Sequence, residues 1–159
     1  MLRKIILYCL AFSLTILTFA QEPQSVDKTM KEIVKKHEAA QGVSCIRVAK
    51  GEGLGVIKMM LNKEFGKDFM KGVTSITIID YSDASEESCV SLRNDLDAFL
   101  TILQEFDISE EEEFADNDYI RCFASEAAAE SGILSDFVIA MESDKSKMIM
   151  YMAGTIKVE

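Results

Sequence analysis

Tryptophan is absent, and proline and histidine occur once each, as Pro23 and His37. One histidine excludes an HExxH zinc protease outright, and a nucleophile triad would need His37 to meet a serine or cysteine and an acid from distant parts of the chain. Sugar-cleaving carboxylate pairs usually come with aromatic platforms, and here there are four tyrosines, one of them Tyr8 in the apolar N-terminal run. Cations are also scarce: 17 Lys and Arg stand against 27 Asp and Glu, for a net charge of −10. So acidic a chain repels nucleic acid and anionic lipid. The densest basic cluster, Lys31, Lys35 and Lys36, shares its segment with Glu32 and Glu38 and reads as an ordinary solvated face. Cysteines number four, none in a CxxC pair, and three scattered thiols with one histidine do not make a structural zinc site.

What is present begins with an address. Arg3 and Lys4 precede the apolar run IILYCLAFSLTILTF, and the small residues Thr18 and Ala20 stand before the polar QEPQS. This pattern predicts a secretory signal peptide over residues 1–20 and a mature chain from Gln21. An uncleaved anchor would need roughly 20 apolar residues and a basic stop-transfer patch, neither of which is found. A lipoprotein signal at Cys9 fails because Tyr8 is too bulky and too few apolar residues precede it. Cleavage takes away two cations and no acid, moving the net charge from −10 to −12. The expected location is the periplasm or the exterior, with no membrane insertion after cleavage. Export would permit a disulfide, but Cys45, Cys89 and Cys122 all fall inside apolar segments and are read as structural thiols.

Residues 21–159 suit a single domain. Ser25 or Asp27 starts a helix expected to run to Gln41 and stop at Gly42, with Met30, Ile33, Val34 and His37 on its apolar side. VSCIRVA, residues 43–49, is apolar on both faces and reads as a central strand. A helix follows over residues 54–65, then a strand over residues 73–81 and a long helix from Ser85 to about Gln104, with Cys89, Leu92, Leu96, Phe99, Leu100 and Leu103 in one stripe. Strands are expected at residues 118–125 and 133–142 and from Lys147 to the end, the last two joined by the turn SDKS. In ILSDFVIAME, Ile133, Phe137, Ile139 and Met141 are placed on one side. In the last strand Met148, Met150, Met152, Ile156 and Val158 face the core while Lys147, Tyr151, Thr155 and Lys157 form a wet face. The expected fold is α+β, with three helices packed on one side of a mixed, mainly antiparallel five-stranded sheet in the order α-β-α-β-α-β-β-β.

Several motifs invite chemistry. GEGLG, residues 51–55, lies between a strand and a helix, where backbone amides can bind phosphate. It is G-x-G-x-G rather than the G-x-G-x-x-G of dinucleotide folds, no lysine follows as in a P-loop, and Glu52 would repel an anion, so it reads as a turn. DISEEEEFADND, residues 107–118, carries seven acids in twelve positions, with Glu110, Glu113, Asp116 and Asp118 as the oxygens a weak calcium site would use. It lacks the alternating acids and central glycine of a calcium loop and reads as a solvated connection. The methionines at 59, 60, 70, 141, 148, 150 and 152 are soft enough to line an adaptable groove, though most fall on expected core faces.

The runs EAAQGVSCIRVAKGEGL, GVTSITIIDYS and SDFVIAMESDKSKMIMYMAGTIKVE give the chain a resemblance. Together with the N-terminal signal, it resembles the small exported proteins of unknown function found in Gram-negative gut anaerobes. That likeness implies an α+β envelope domain and carries over no catalytic residue. No catalytic, cofactor-binding or metal-ligating residue is singled out, and no cofactor is expected. The expected function is therefore non-enzymatic: binding of an envelope protein or peptide through a sheet edge or the acidic run, with a small apolar ligand held between helices and sheet as the alternative.

Overall fold

The computed structural model describes residues 25–106, 119–125 and 132–157. Three helices, α1 (Val26–His37), α2 (Leu54–Phe65) and α3 (Glu86–Leu100), accompany six strands: β1 (Ser44–Ala49), β2 (Gly72–Asp80), β3 (Gln104–Phe106), β4 (Tyr119–Ala124), β5 (Ile133–Glu142) and β6 (Lys147–Lys157). The strands lie side by side as β1-β2-β6-β5-β4-β3, and every neighbouring pair is antiparallel. The class is α+β, as expected, but the sheet is neither mixed nor five-stranded. The additional strand is β3, which takes Gln104 from the expected end of α3; the helix stops at Leu100, where Thr101 Oγ1 donates to the Ala98 carbonyl.

The helices do not share one side. Met30 and Ile33 of α1 and Leu92, Leu96 and Phe99 of α3 pack with Ile79, Tyr81, Phe123, Val138, Ile149 and Tyr151. Leu54 of α2 instead packs with Met70, Val73, Ile76, Phe137, Met152 and Ile156, with Ile57 and Leu61 beside them. The central strands β2 and β6 dictate this split, because each carries large apolar residues at both parities and so needs cover on both faces. Tyr151 and Ile149, at 0% and 2% exposure, lie in the α1/α3 core. Of the residues expected on the wet side of β6, Thr155 and Lys157 are exposed and Lys147 is half-buried, but Tyr151 lies in the core with Ile149 of the same parity, and each such buried side chain contributes roughly 1.5–3 kcal/mol.

Three further expectations are corrected. β1 is an edge strand, since only β2 pairs with it, although its sequence is apolar on both faces. α1 ends at His37 rather than Gln41, and Ala40 and Val43 then turn back through hydrogen bonds to the His37 and Ala40 carbonyls. In β5 the ladder slips between Ser135 and Phe137, with Asp136 at φ +52, so that Leu134 rather than Ile133 shares the Phe137 side. Ile133 is left 44% exposed. The hairpin at residues 143–146 forms where expected, closed by Ser143 N–H donating to the Ser146 carbonyl at 2.7 Å. Val158, residues 1–20, where a signal peptide is expected, and the acidic run lie outside the described residues.

Candidate functional site

Strand register divides the α2 face into rows that run across the sheet. Val48, Ile76, Met152 and Phe137 are aligned in the first, and its members from β2, β6 and β5 are buried. The next row, Ile46, Ile78, Met150 and Ile139, opens to solvent: Ile46 is 54% exposed and the other three are half-buried. In the third, Met148 and Met141 are half-buried and Ile120 is exposed. One helix of 12 residues covers only part of a six-stranded sheet, and the apolar side chains of these two rows stay half-buried or exposed. α2 adds Val56, Met59 and Met60 on its outward side, each more than half exposed. Met30 and Met152 are core residues as expected and Met70 joins them, whereas Met148 and Met150, expected to face the core, are half-buried, and Met59 and Met60 are surface residues.

The opposite face carries a cleft of about 350 Å³ between α3 and strands β4, β5 and β6. Leu96, Ala140 and Ile149 supply apolar surface, and Tyr81, Arg93, Asp97 and Arg121 supply polar groups. Much of that polarity is already paired. Arg121 reaches both carboxylate oxygens of Glu105, at 2.6 and 2.8 Å, while its guanidinium carbon lies 5.0 Å from the centre of the Phe123 ring. This pairing lowers the Glu105 pKa and raises that of Arg121. Arg93 forms an ion pair with Glu142 through one terminal nitrogen, but its Nε is buried without a hydrogen-bond partner. Burial pushes the Tyr81 phenol up against the opposing effect of Arg93, leaving a neutral hydroxyl beside the cleft.

His37 is 4% exposed and joins α1 to α3: its Nε2 is 2.6 Å from Asp95 Oδ2, the oxygen that also takes Lys36 Nζ at 2.6 Å. Among the described residues no serine, threonine or cysteine hydrogen-bonds to this imidazole, so the arrangement ties two helices together and contains no nucleophile. Cys45, Cys89 and Cys122 are free thiols, and burial pushes Cys122 up to about 12, a poor nucleophile at neutral pH. In GEGLG, Gly51 and Gly53 take positive φ and the Glu52 carboxylate accepts from Ala49 N–H at 3.3 Å, so the segment turns the chain out of β1 and keeps a carboxylate within that turn. The four acids considered for calcium lie outside the described residues. Among the described residues no group of three or more His, Cys, Asp and Glu could hold a metal ion, and no helix is long and apolar enough to cross a membrane.

Sequence reasoning missed the cleft because Tyr81, Arg93, Asp97 and Arg121 come from three separate elements and only the β6-centred strand order brings them together. It also missed the open rows, although their signal is visible in hindsight in strands whose two parities are both apolar while only three helices are available. Compared with protein-family models, curated proteins and solved structures, the chain matches none.

Proposed function

We propose that this protein is a non-enzymatic docking domain of the cell envelope, which binds a protein or peptide on the uncovered rows of its α2 face. The observation that carries the reading is the row Ile46, Ile78, Met150 and Ile139, apolar throughout, with Ile46 exposed and the other three half-buried beside an already buried row of the same character. Contiguous exposed apolar surface of this kind marks interaction sites, and flexible methionines at 148 and 150 suit a partner whose side chains vary. A peptide laid there would bury surface at about 25 cal/mol per Å² before the costs of ordering. The N-terminal pattern supports the envelope setting.

A second reading is favoured by the cleft on the other face. An apolar small molecule seated on Leu96, Ala140 and Ile149, with one acceptor atom directed at Arg93 Nε, would satisfy the buried donor there. Pull-down from the native envelope fraction, with mass spectrometry for both polypeptides and small molecules, separates the two. The docking reading expects a polypeptide that the double variant Ile120→Asp/Met148→Asp no longer captures while keeping its melting temperature. Capture indifferent to that variant, or a small molecule recovered with no polypeptide, would reverse the order.

A further inference from the structure

The edge of β1 away from β2, which pairs with no strand among the described residues, has a definite hydrogen-bonding polarity. Tyr81 N–H donates to the Lys147 carbonyl at 2.9 Å, so residues 77, 79 and 81 direct their main-chain groups toward β6, and Ile76, Ile78 and Asp80 direct theirs toward β1. Their partners Val48, Ile46 and Ser44 are therefore the hydrogen-bonded positions of β1. Cys45, Arg47 and Ala49 turn their N–H and C=O groups outward. The turn after β1 agrees: Ala49 N–H donates to Glu52 Oε2 at 3.3 Å, and the Ala49 carbonyl accepts from Glu52 N–H at 2.9 Å. Glu52 thus closes one end of the edge and leaves the main-chain groups of Cys45 and Arg47 as its open template.

We infer that this edge pairs with β1 of a second copy, antiparallel about a twofold axis through Ile46. A twofold perpendicular to the sheet keeps each face on its own side, so opposed residues must share a parity. Placing Cys45 opposite Arg47 of the copy exchanges all four outward groups and sets Ile46 against Ile46 as the close, non-hydrogen-bonded pair at the axis. The neighbouring registers are poorer. Centring on Arg47 sets two guanidinium groups against each other and calls on Ala49, whose groups Glu52 already holds; centring on Cys45 engages Val43, outside the strand.

Charge agrees with the same register. Glu38, the residue that caps α1, adds to burial in pushing the Cys45 thiol up, and among the described residues it forms no ion pair. The copy's Arg47, 39% exposed and held at 3.7 Å from Asp27 of its own chain, arrives opposite Cys45, on the side of the strand that Glu38 influences, once on each side of the axis. Ile46, exposed alone, becomes covered, and the open rows of the two α2 faces run on across the junction. The inference does not depend on the docking reading, since it uses the edge rather than the rows.

Sedimentation equilibrium on the protein as its cells process it, across micromolar concentrations, is expected to show twice the chain mass. Arg47→Glu, which sets an acid against Glu38 of the copy and also removes the pair with Asp27 of its own chain, weakens association roughly tenfold or more, and Glu38→Arg added to it restores the dimer without restoring the Asp27 pair. In a Cys45→Ser background, Ile46→Cys forms an intermolecular disulfide on mild oxidation, because directly opposed non-hydrogen-bonded residues lie about 4.5 Å apart at Cα. Val48→Cys in the same background does not, being displaced from its own copy. A monomer at all concentrations overturns the inference, as does a dimer that ignores the charge swap or cross-links through Val48→Cys. Failure of the Ile120→Asp/Met148→Asp pull-down alone leaves this dimer standing.

Discussion

The hydroxyl of Tyr151, at the centre of the sheet and 0% exposed, donates a hydrogen bond of 2.9 Å to Asp136, the one non-glycine among the described residues with positive φ. Burial, with the nearby Asp136 carboxylate, holds the Tyr151 phenol well above its ordinary range and keeps it a neutral donor. The slip in β5 that turns Asp136 into the left-handed region is what brings its side chain to that hydroxyl.

Replacing Asp136 therefore tests backbone and side chain together. Asp136→Ala leaves a buried hydroxyl without its acceptor and puts alanine in a left-handed conformation, for a loss of roughly 2–4 kcal/mol in urea unfolding. Asp136→Asn retains an acceptor and a residue at ease at that φ, and is expected to cost under about 1 kcal/mol. In a Tyr151→Phe background the cost of Asp136→Ala shrinks to the backbone component. An equal loss in both backgrounds would show that the hydrogen bond contributes nothing.

Two glycines with similar backbones are expected to respond differently. A Cβ on Gly42, at φ +75, would stand 1.9 Å from the Asp83 carbonyl oxygen, where the turn after α1 packs against the chain leading into α3. A Cβ on Gly53, at φ +94, meets nothing within 4 Å. Gly53→Ala should cost about 1–2 kcal/mol from conformation alone, and Gly42→Ala clearly more because main chain must move. Thermal melts of the two variants side by side measure the difference.

Much of the fold was legible, and its failures have physical causes. Helix starts follow local chemistry, as at Ser85, whose hydroxyl accepts from Ser88 N–H at 3.3 Å, and they were found. Burial of a strand face is not local. Tyr151 alternates with methionines as a wet face would, yet β6 lies between β2 and β5, with helices on both faces, and at the middle of the strand the tyrosine side is buried, while Thr155 and Lys157 near its end are exposed as expected. The same non-locality made β1 look central. Periodicity also cannot count an inserted residue, so the slip at Asp136 moved Ile133 off the side it was assigned. The cleft was illegible for the same reason, being a product of strand order, and the open rows, hinted at by strands apolar at both parities, could not be placed without that order.

Helix α1 is tied to α3 through Asp95, and that contact carries a pH dependence. The Lys36 hydrogen bond, helped by the one from His37, outweighs burial and lowers the Asp95 pKa from 3.8. A carboxylate with a depressed folded pKa stabilises fully above its unfolded value and loses that contribution as pH falls through the folded one. Stability that Asp95 supplies at neutral pH should thus fade below about pH 4. Asp95→Asn is expected to melt lower than the parent at pH 7 and to approach it at pH 3. A gap between the two that stays constant from pH 7 to 3 would remove the charge from the account of this contact.

The three thiols should separate by their reaction with a small alkylating reagent. Cys122 is 1% exposed on β4, and burial, with the Glu105 carboxylate adding to it, pushes its thiol up to about 12. Alkylation proceeds through the thiolate, so at pH 8 a group of that pKa is almost entirely in its unreactive form. Burial and then Glu38 raise Cys45 as well, but its place on an edge strand leaves it reachable. Mass spectrometry of peptides from the native protein is expected to show Cys122 unmodified after labelling that modifies Cys45, and all three modified once urea is added. Rapid native labelling of Cys122 would mean that β4 opens far more often than its buried neighbours Phe123 and Ala124 imply. In the proposed dimer Cys45 lies at the junction, and its labelling should slow as protein concentration rises while that of Cys122 stays unchanged.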